Sequence, residues 1–158
     1  MLTRRTARPV TVGALTAMAV AVSGCTSAIP VPAAPYASDP DCASVMLAAP
    51  ETLGGLSMRA TTSQATVAYG DEFTIIVRCG VEPPGPSEDP CVLVTSGAAA
   101  LGWLVSERDD AWVAVSFGRS PAVEATIPKV RADQAVGDLL AELTPSAALA
   151  PTNGLECR

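Results

Sequence analysis

The sequence predicts an α+β domain: an antiparallel sheet of about five or six strands, an N-terminal and a C-terminal helix packed on one face, and two disulfides. Three observations carry that reading. Apolar residues recur at helical spacing near both ends, as Cys42, Val45, Met46 and Ala49, then as Val136, Leu139, Leu140 and Leu143. Between them the pattern changes to short alternating runs broken by Gly, Pro and Asp. Four cysteines, Cys42, Cys79, Cys91 and Cys157, are distributed through the same body.

The elements follow in order. Ser38-Asp39-Pro40 supplies a cap and a first-turn proline for the first helix, and Pro50 its stop. Leu53-Gly54-Gly55 is a turn, and residues 64–69 form a strand that ends at Tyr69-Gly70-Asp71. Phe73 to Cys79 is the clearest strand, with Phe73, Ile75, Val77 and Cys79 on one face and Thr74, Ile76 and Arg78 on the other. "GVEPPGPSEDP" is too rich in proline for regular structure. Cys91 to Thr95 is a strand, and Leu101 to Ser106 pairs with Trp112 to Phe117 around Glu107-Arg108-Asp109-Asp110. Pro121 to Pro128 buries Val123, Ala125 and Ile127, and a last helix runs from about Asp133 to Leu143 before Thr144-Pro145 stops it.

The first 24 residues do not belong to this body. Arg4, Arg5 and Arg8 precede an apolar run from Val10 to Val22 and then small residues, the layout of a secretory leader. About thirteen apolar residues fall short of the ~20 that span a bilayer. Val22-Ser23-Gly24-Cys25 resembles a bacterial lipobox, which implies cleavage after Gly24 and a diacylglycerol thioether on Cys25. Arg4-Arg5 raises twin-arginine export, but Thr6-Ala7-Arg8 lacks the apolar residues that usually follow, so the general pathway is favoured. Lipid contributes ~0.8 kcal/mol per buried CH2, and two or three chains hold a protein stably to a membrane surface. The expected organisation is a leader at 1–24, the lipidated cysteine with a Pro/Ala-rich tether at 25–38, and one domain at 39–158.

All sixteen carboxylates remain after the leader is removed, against six arginines and Lys129, so the mature charge is −9. Such a surface repels phosphate backbones and anionic headgroups, so no nucleic acid is expected as a partner and the anchor must come from lipid rather than from basic residues. The expected location is the extracytoplasmic face of the cell membrane, where disulfides form. With inward-facing Cys42 on the first helix and Cys79 on the clearest strand, one pairing joins these two and leaves Cys91 with Cys157. The rival joins Cys79 to Cys91 across the proline-rich loop and Cys42 to Cys157, and both remain open on the residues alone.

The search for chemistry is largely negative. There is no histidine and no C-x-x-C, so neither a metal site nor a cofactor is expected. A Ser–Lys pair would have to use Lys129, and no S-x-x-K is present. Asp71-Glu72, Glu88-Asp89 and Asp109-Asp110 are paired carboxylates in predicted turns, which suit solvated turns better than hydrolysis. Calcium at Glu107, Asp109 and Asp110 lacks a glycine-punctuated loop. Trp103 and Trp112 are candidates for an aromatic platform, although a chain with six aromatics needs at least one in its core. Arg59, Arg78 and Arg119 are candidates for an anion site, with ion pairs to Asp71 or Glu124 as the structural alternative.

"DPDCASV", "AYGDEFTIIVRCGV", the tryptophan of "ALGWLV" and "GRSPAVEATIP" together resemble an actinobacterial family of exported proteins, domain-of-unknown-function family 3515. The likeness covers roughly residues 39 to 145, and Tyr69 stands where a tryptophan is common. The resemblance implies a cysteine on the first helix and another in the Arg78-Cys79-Gly80 stretch, in agreement with joining Cys42 to Cys79. It implies an envelope lipoprotein and no reaction.

The functional expectation is a membrane-anchored, non-enzymatic envelope lipoprotein whose domain meets another envelope protein or a cell-wall component. The alternatives are a binding protein or sensor for a small anionic envelope ligand, using Arg78, Arg119 and Trp103, and a minor carboxylate-dependent hydrolase.

Overall fold

The computed structural model describes residues 27–87, 90–131 and 135–157. The leader, Cys25, Glu88-Asp89 and the expected helix start at Asp133 lie outside these residues. Chain order is α1 (Asp41–Leu47), β1 (Thr52–Leu53), β2 (Leu56–Arg59), β3 (Thr66–Tyr69), β4 (Ile75–Val81), β5 (Cys91–Ser96), β6 (Ala99–Glu107), β7 (Ala111–Phe117), β8 (Ala122–Pro128), a 3-10 turn at Lys129–Arg131, and α2 (Val136–Ala147).

The sheet is antiparallel with eight strands in the order β1-β2-β3-β4-β8-β7-β6-β5. Two four-stranded meanders are joined through β4 and β8, with Arg78 opposite Glu124. The count exceeds five or six because Leu53-Gly54-Gly55 is the turn between two short strands, β1 and β2, too brief to show alternation. Phe73 does not belong to β4, which starts at Ile75; Phe73 has φ 47° and is exposed.

Helix placement also differs from a pair of helices laid on an open sheet. α2 touches both edge strands, β1 and β5. Eight strands at ~4.8 Å spacing would separate those edges by about 33 Å if flat, while a twelve-residue helix is about 18 Å long. The sheet therefore curls, and α2 bridges its two margins, with Glu142 Oε2 accepting the Gly54 N–H at 3.0 Å. α1 meets α2 and β4 on the same concave side. Ile75, Val77, Cys79, Val123, Ala125 and Ile127 line that side with Leu139, Leu140 and Leu143 of α2.

α2 runs through Pro145 instead of stopping before it. A proline removes one N–H near a helix end, where few intrahelical bonds remain to be lost. Thr144, Ser146 and Ala147 are buried beyond the expected stop, and Ser146 Oγ donates to the Leu143 carbonyl at 2.9 Å. Packing outweighs propensity here.

The convex side is covered by residues 27–38 and by the tail that follows α2. Residues 27–38, expected to be a tether, lie packed on the domain in this structure. Ile29 bridges Thr61, and Val31, Ala34 and Ala37 are buried. Gly80 makes this possible: at φ 94° it interrupts the β4–β8 register, and a Cβ there would stand 2.4 Å from the Tyr36 carbonyl carbon. Tyr36 N–H donates to the Gly80 carbonyl at 2.8 Å, and Val81, turned to the convex side, packs with Ala34, Ala37 and Ala122.

Candidate functional site: the groove beside the C-terminal tail

The C-terminal tail crosses the convex side of β6 and β7. Arg119 fixes its start: Nη1 donates to the Ala150 carbonyl at 2.8 Å, and the Arg119 backbone bridges Thr152. The neighbouring Ser120 N–H donates to Pro151 O at 2.9 Å. The tail then passes Gly118, where φ is 77° and a Cβ would lie 2.0 Å from the Leu155 oxygen. It ends in a disulfide from Cys157 to Cys91, with Cα atoms 5.5 Å apart. The second disulfide joins Cys42 to Cys79, Cα atoms 5.6 Å apart, and ties α1 to β4 inside the concave core. These are the pairings that inward-facing Cys42 and Cys79 favour, and the rival connectivity is absent. With partners separated by 37 and 66 positions in sequence, chain-entropy reasoning gives roughly 4 kcal/mol for each link.

Tail and sheet enclose a groove of about 760 Å³ over the Cys91–Cys157 link, walled by Pro86, Pro90, Leu104, Phe117, Leu155 and Glu156. A smaller hollow of about 330 Å³ lies beside it, reaching Leu93, Ala100 and Arg119. The groove is mixed in character: apolar Leu104 and Phe117 of the sheet line it together with exposed Glu156 of the tail.

The other predicted binding residues do not converge on it. Trp103 is 0% exposed on the concave side, with Nε1 donating to Thr144 Oγ1 at 3.1 Å. It is core, so no aromatic platform forms. Trp112 is half-buried, and Lys129 Nζ stands 5.9 Å from its ring centre while also 2.7 Å from Glu107 Oε1. Arg78 is on the convex side of β4 and donates through Nε and Nη2 to Glu124 Oε1 at 3.0 and 2.7 Å. Arg59 pairs with Asp71. The three arginines therefore serve three separate structural contacts, and the ion pairs to Asp71 and Glu124 are the arrangement found.

Among the described residues, no group of three Cys, Asp or Glu side chains is placed to hold a metal. Asp109 and Asp110 are exposed in the β6–β7 turn. Every buried side-chain nitrogen or oxygen among the described residues has a hydrogen-bond partner. Two phenols are perturbed. Tyr69, buried and donating to the Pro50 carbonyl at 2.9 Å, is pushed up to about 12 by burial and then by Glu142. Tyr36 is raised above its usual value by its hydrogen bond to Glu82 and the charge of that carboxylate.

Sequence reasoning missed the groove because its walls come from the tail, the proline-rich loop and two middle strands. The signal was present in Gly102, an isolated glycine inside a strand pattern that marks close approach of another segment, here the Cys91–Cys157 link. Among the described residues, no helix is long and apolar enough to cross a membrane.

No curated protein and no solved structure matches the chain. One family model does, over residues 5–150. The chain belongs to the family described as Protein of unknown function (DUF3515).

Proposed function

We propose that this chain is a cell-envelope lipoprotein, held on the extracytoplasmic face of the membrane by a diacylglyceryl group on Cys25, whose domain is a non-enzymatic interaction module. The carrying observation is the use of its thiols. All four cysteines of the body are joined in pairs within one domain, which suits an oxidising compartment. Cys25 is left over, preceded by Val22-Ser23-Gly24 and an apolar run of leader length. Its partner is an envelope protein or a cell-wall component.

The test compares the wild type with Cys25→Ser in cells. The wild type stays with membranes, and the variant is released with both disulfides intact. Repeated crosslinked purification that recovers no envelope component would contradict the interaction module. Hydrolysis of an envelope substrate by the purified domain would contradict its non-enzymatic character.

The groove favours a second reading, a carrier or sensor for a small envelope molecule, because about 760 Å³ falls within the ~300–1,000 Å³ of ligand sites. Glu156 among its lining residues and the pairing of Arg78 with Glu124 favour a neutral or cationic ligand there. A thermal shift with neutral or cationic cell-wall fragments, lost in Glu156→Gln, would support it.

A further inference from the structure

Phe73 is an exposed aromatic held in an unfavourable backbone conformation. Its φ is 47°, in the left-handed region that bulky side chains avoid, and the residue is 60% exposed. Two residues later Ile75 is fully buried, so the core is within reach of the chain but the Phe73 ring points away from it. Strain of this kind persists only where surrounding contacts impose it. Arg131 imposes it from one side, donating through Nε to the Phe73 carbonyl at 3.1 Å and through Nη2 to the Glu72 carbonyl. Arg59 imposes it from the other through its ion pair with Asp71.

The same Arg59 guanidinium reaches the start of the described chain, donating to the Ser27 carbonyl at 3.3 Å. Cys25 is two residues before Ser27. At ~3.3–3.6 Å per extended residue, two residues of chain span no more than about 7 Å. The braced loop is thus tied through Arg59 to the chain two residues after the attachment point of the lipid. Val130, beside Arg131, adds a second apolar side chain that is 60% exposed.

We propose that the β3–β4 loop is a second membrane contact: the Phe73 ring enters the headgroup–acyl boundary of the bilayer that holds the lipid of Cys25, and so fixes the orientation of the domain. This rests on the lipid-anchor reading. An aromatic ring suits that boundary. At the loop itself the Asp71 carboxylate is paired with Arg59, and the Arg131 guanidinium stands against the Glu72 backbone carbonyl, while the mature chain as a whole carries −9. Both cations are occupied in holding the loop, so the contact is apolar and not an attraction to anionic headgroups.

The test uses the full chain, lipidated in a bacterial host and reconstituted in vesicles with brominated acyl chains, either zwitterionic or anionic. Phe73→Trp, and separately Val130→Trp, adds a fluorophore whose emission is obtained by difference from the wild type. The expected result is a blue-shifted added emission that loses most of its intensity to the brominated lipid, equally in both vesicle types and at high salt. Protein that floats with the vesicles while both reporters keep a water-like, unquenched emission overturns the proposal and leaves the anchor standing. Protein that does not float removes the anchor and this proposal with it. Emission that shifts only when solubilised envelope proteins are added, with bare vesicles inert, overturns the proposal in favour of a protein partner.

Discussion

Gly102 and Cys157 are in such close contact that a Cβ on the glycine would lie 2.5 Å from the Cys157 sulfur and 3.2 Å from that of Cys91. The middle of β6 is thus the seat of the disulfide that closes the chain, and the absence of a side chain there lets the tail lie flat against the sheet.

Gly102→Ala is expected to push the Cys91–Cys157 link off the sheet and to destabilise the domain by ~1–3 kcal/mol, the usual cost of overpacking. Gly118→Ala is expected to cost more, because it adds a strained φ of 77° to a contact with the Leu155 carbonyl. Denaturant unfolding checks both, and cleavage of the tail by protease at low denaturant is expected to rise in each.

Trp103 and Thr144 form a polar contact inside an apolar core. Thr144 Oγ1 accepts the indole N–H at 3.1 Å and donates to the Leu140 carbonyl at 2.7 Å. Thr144→Val preserves shape but leaves the indole donor unsatisfied, with an expected loss of ~1–3 kcal/mol. Trp103→Phe in the Thr144→Val background is expected to lose less than the sum of the two single changes. Strict additivity in a double-mutant cycle would contradict the contact.

Tyr69 links stability to alkaline pH. Its pKa rises from 10.0 in the unfolded chain to about 12 in the fold, so the fold favours the neutral phenol. Its contribution is fully present below pH 10.0 and declines as the unfolded chain ionises between 10.0 and about 12. Two pKa units correspond to at most ~2.7 kcal/mol. Tyr69→Phe is expected to be less stable at neutral pH, through loss of the bond to Pro50, and to show a flatter decline above pH 10.0. Urea midpoints measured across that range give the slopes.

The sequence showed most of the body but little of what covers it. Alternation marked β4 and β8 because each has one face in the core, and the Leu139, Leu140 and Leu143 stripe marked α2 for the same reason. β1 and β2 were too short to show a period. Phe73 continued the apolar alternation of Ile75 and Val77, yet Arg59 and Arg131 hold its loop in a different backbone region, a long-range effect that no local pattern contains. Pro and Ala in residues 27–38 read as a tether by composition, but Val31, Ala34 and Ala37 are placed to fill the convex side once Gly80 opens a seat. The candidate groove was the least legible part, because its walls come together only after the C-terminal tail has crossed two strands.

We propose that Cys25 carries lipid while the other four cysteines brace the fold. Intact-mass measurement of the protein extracted from its own membranes, with and without reduction and alkylation, tests it most directly. The expected result is a chain starting at Cys25, heavier by a diacylglyceryl group, that takes up four alkyl groups only after reduction. A chain that keeps its leader, an unmodified Cys25, or free thiols without reduction would contradict it.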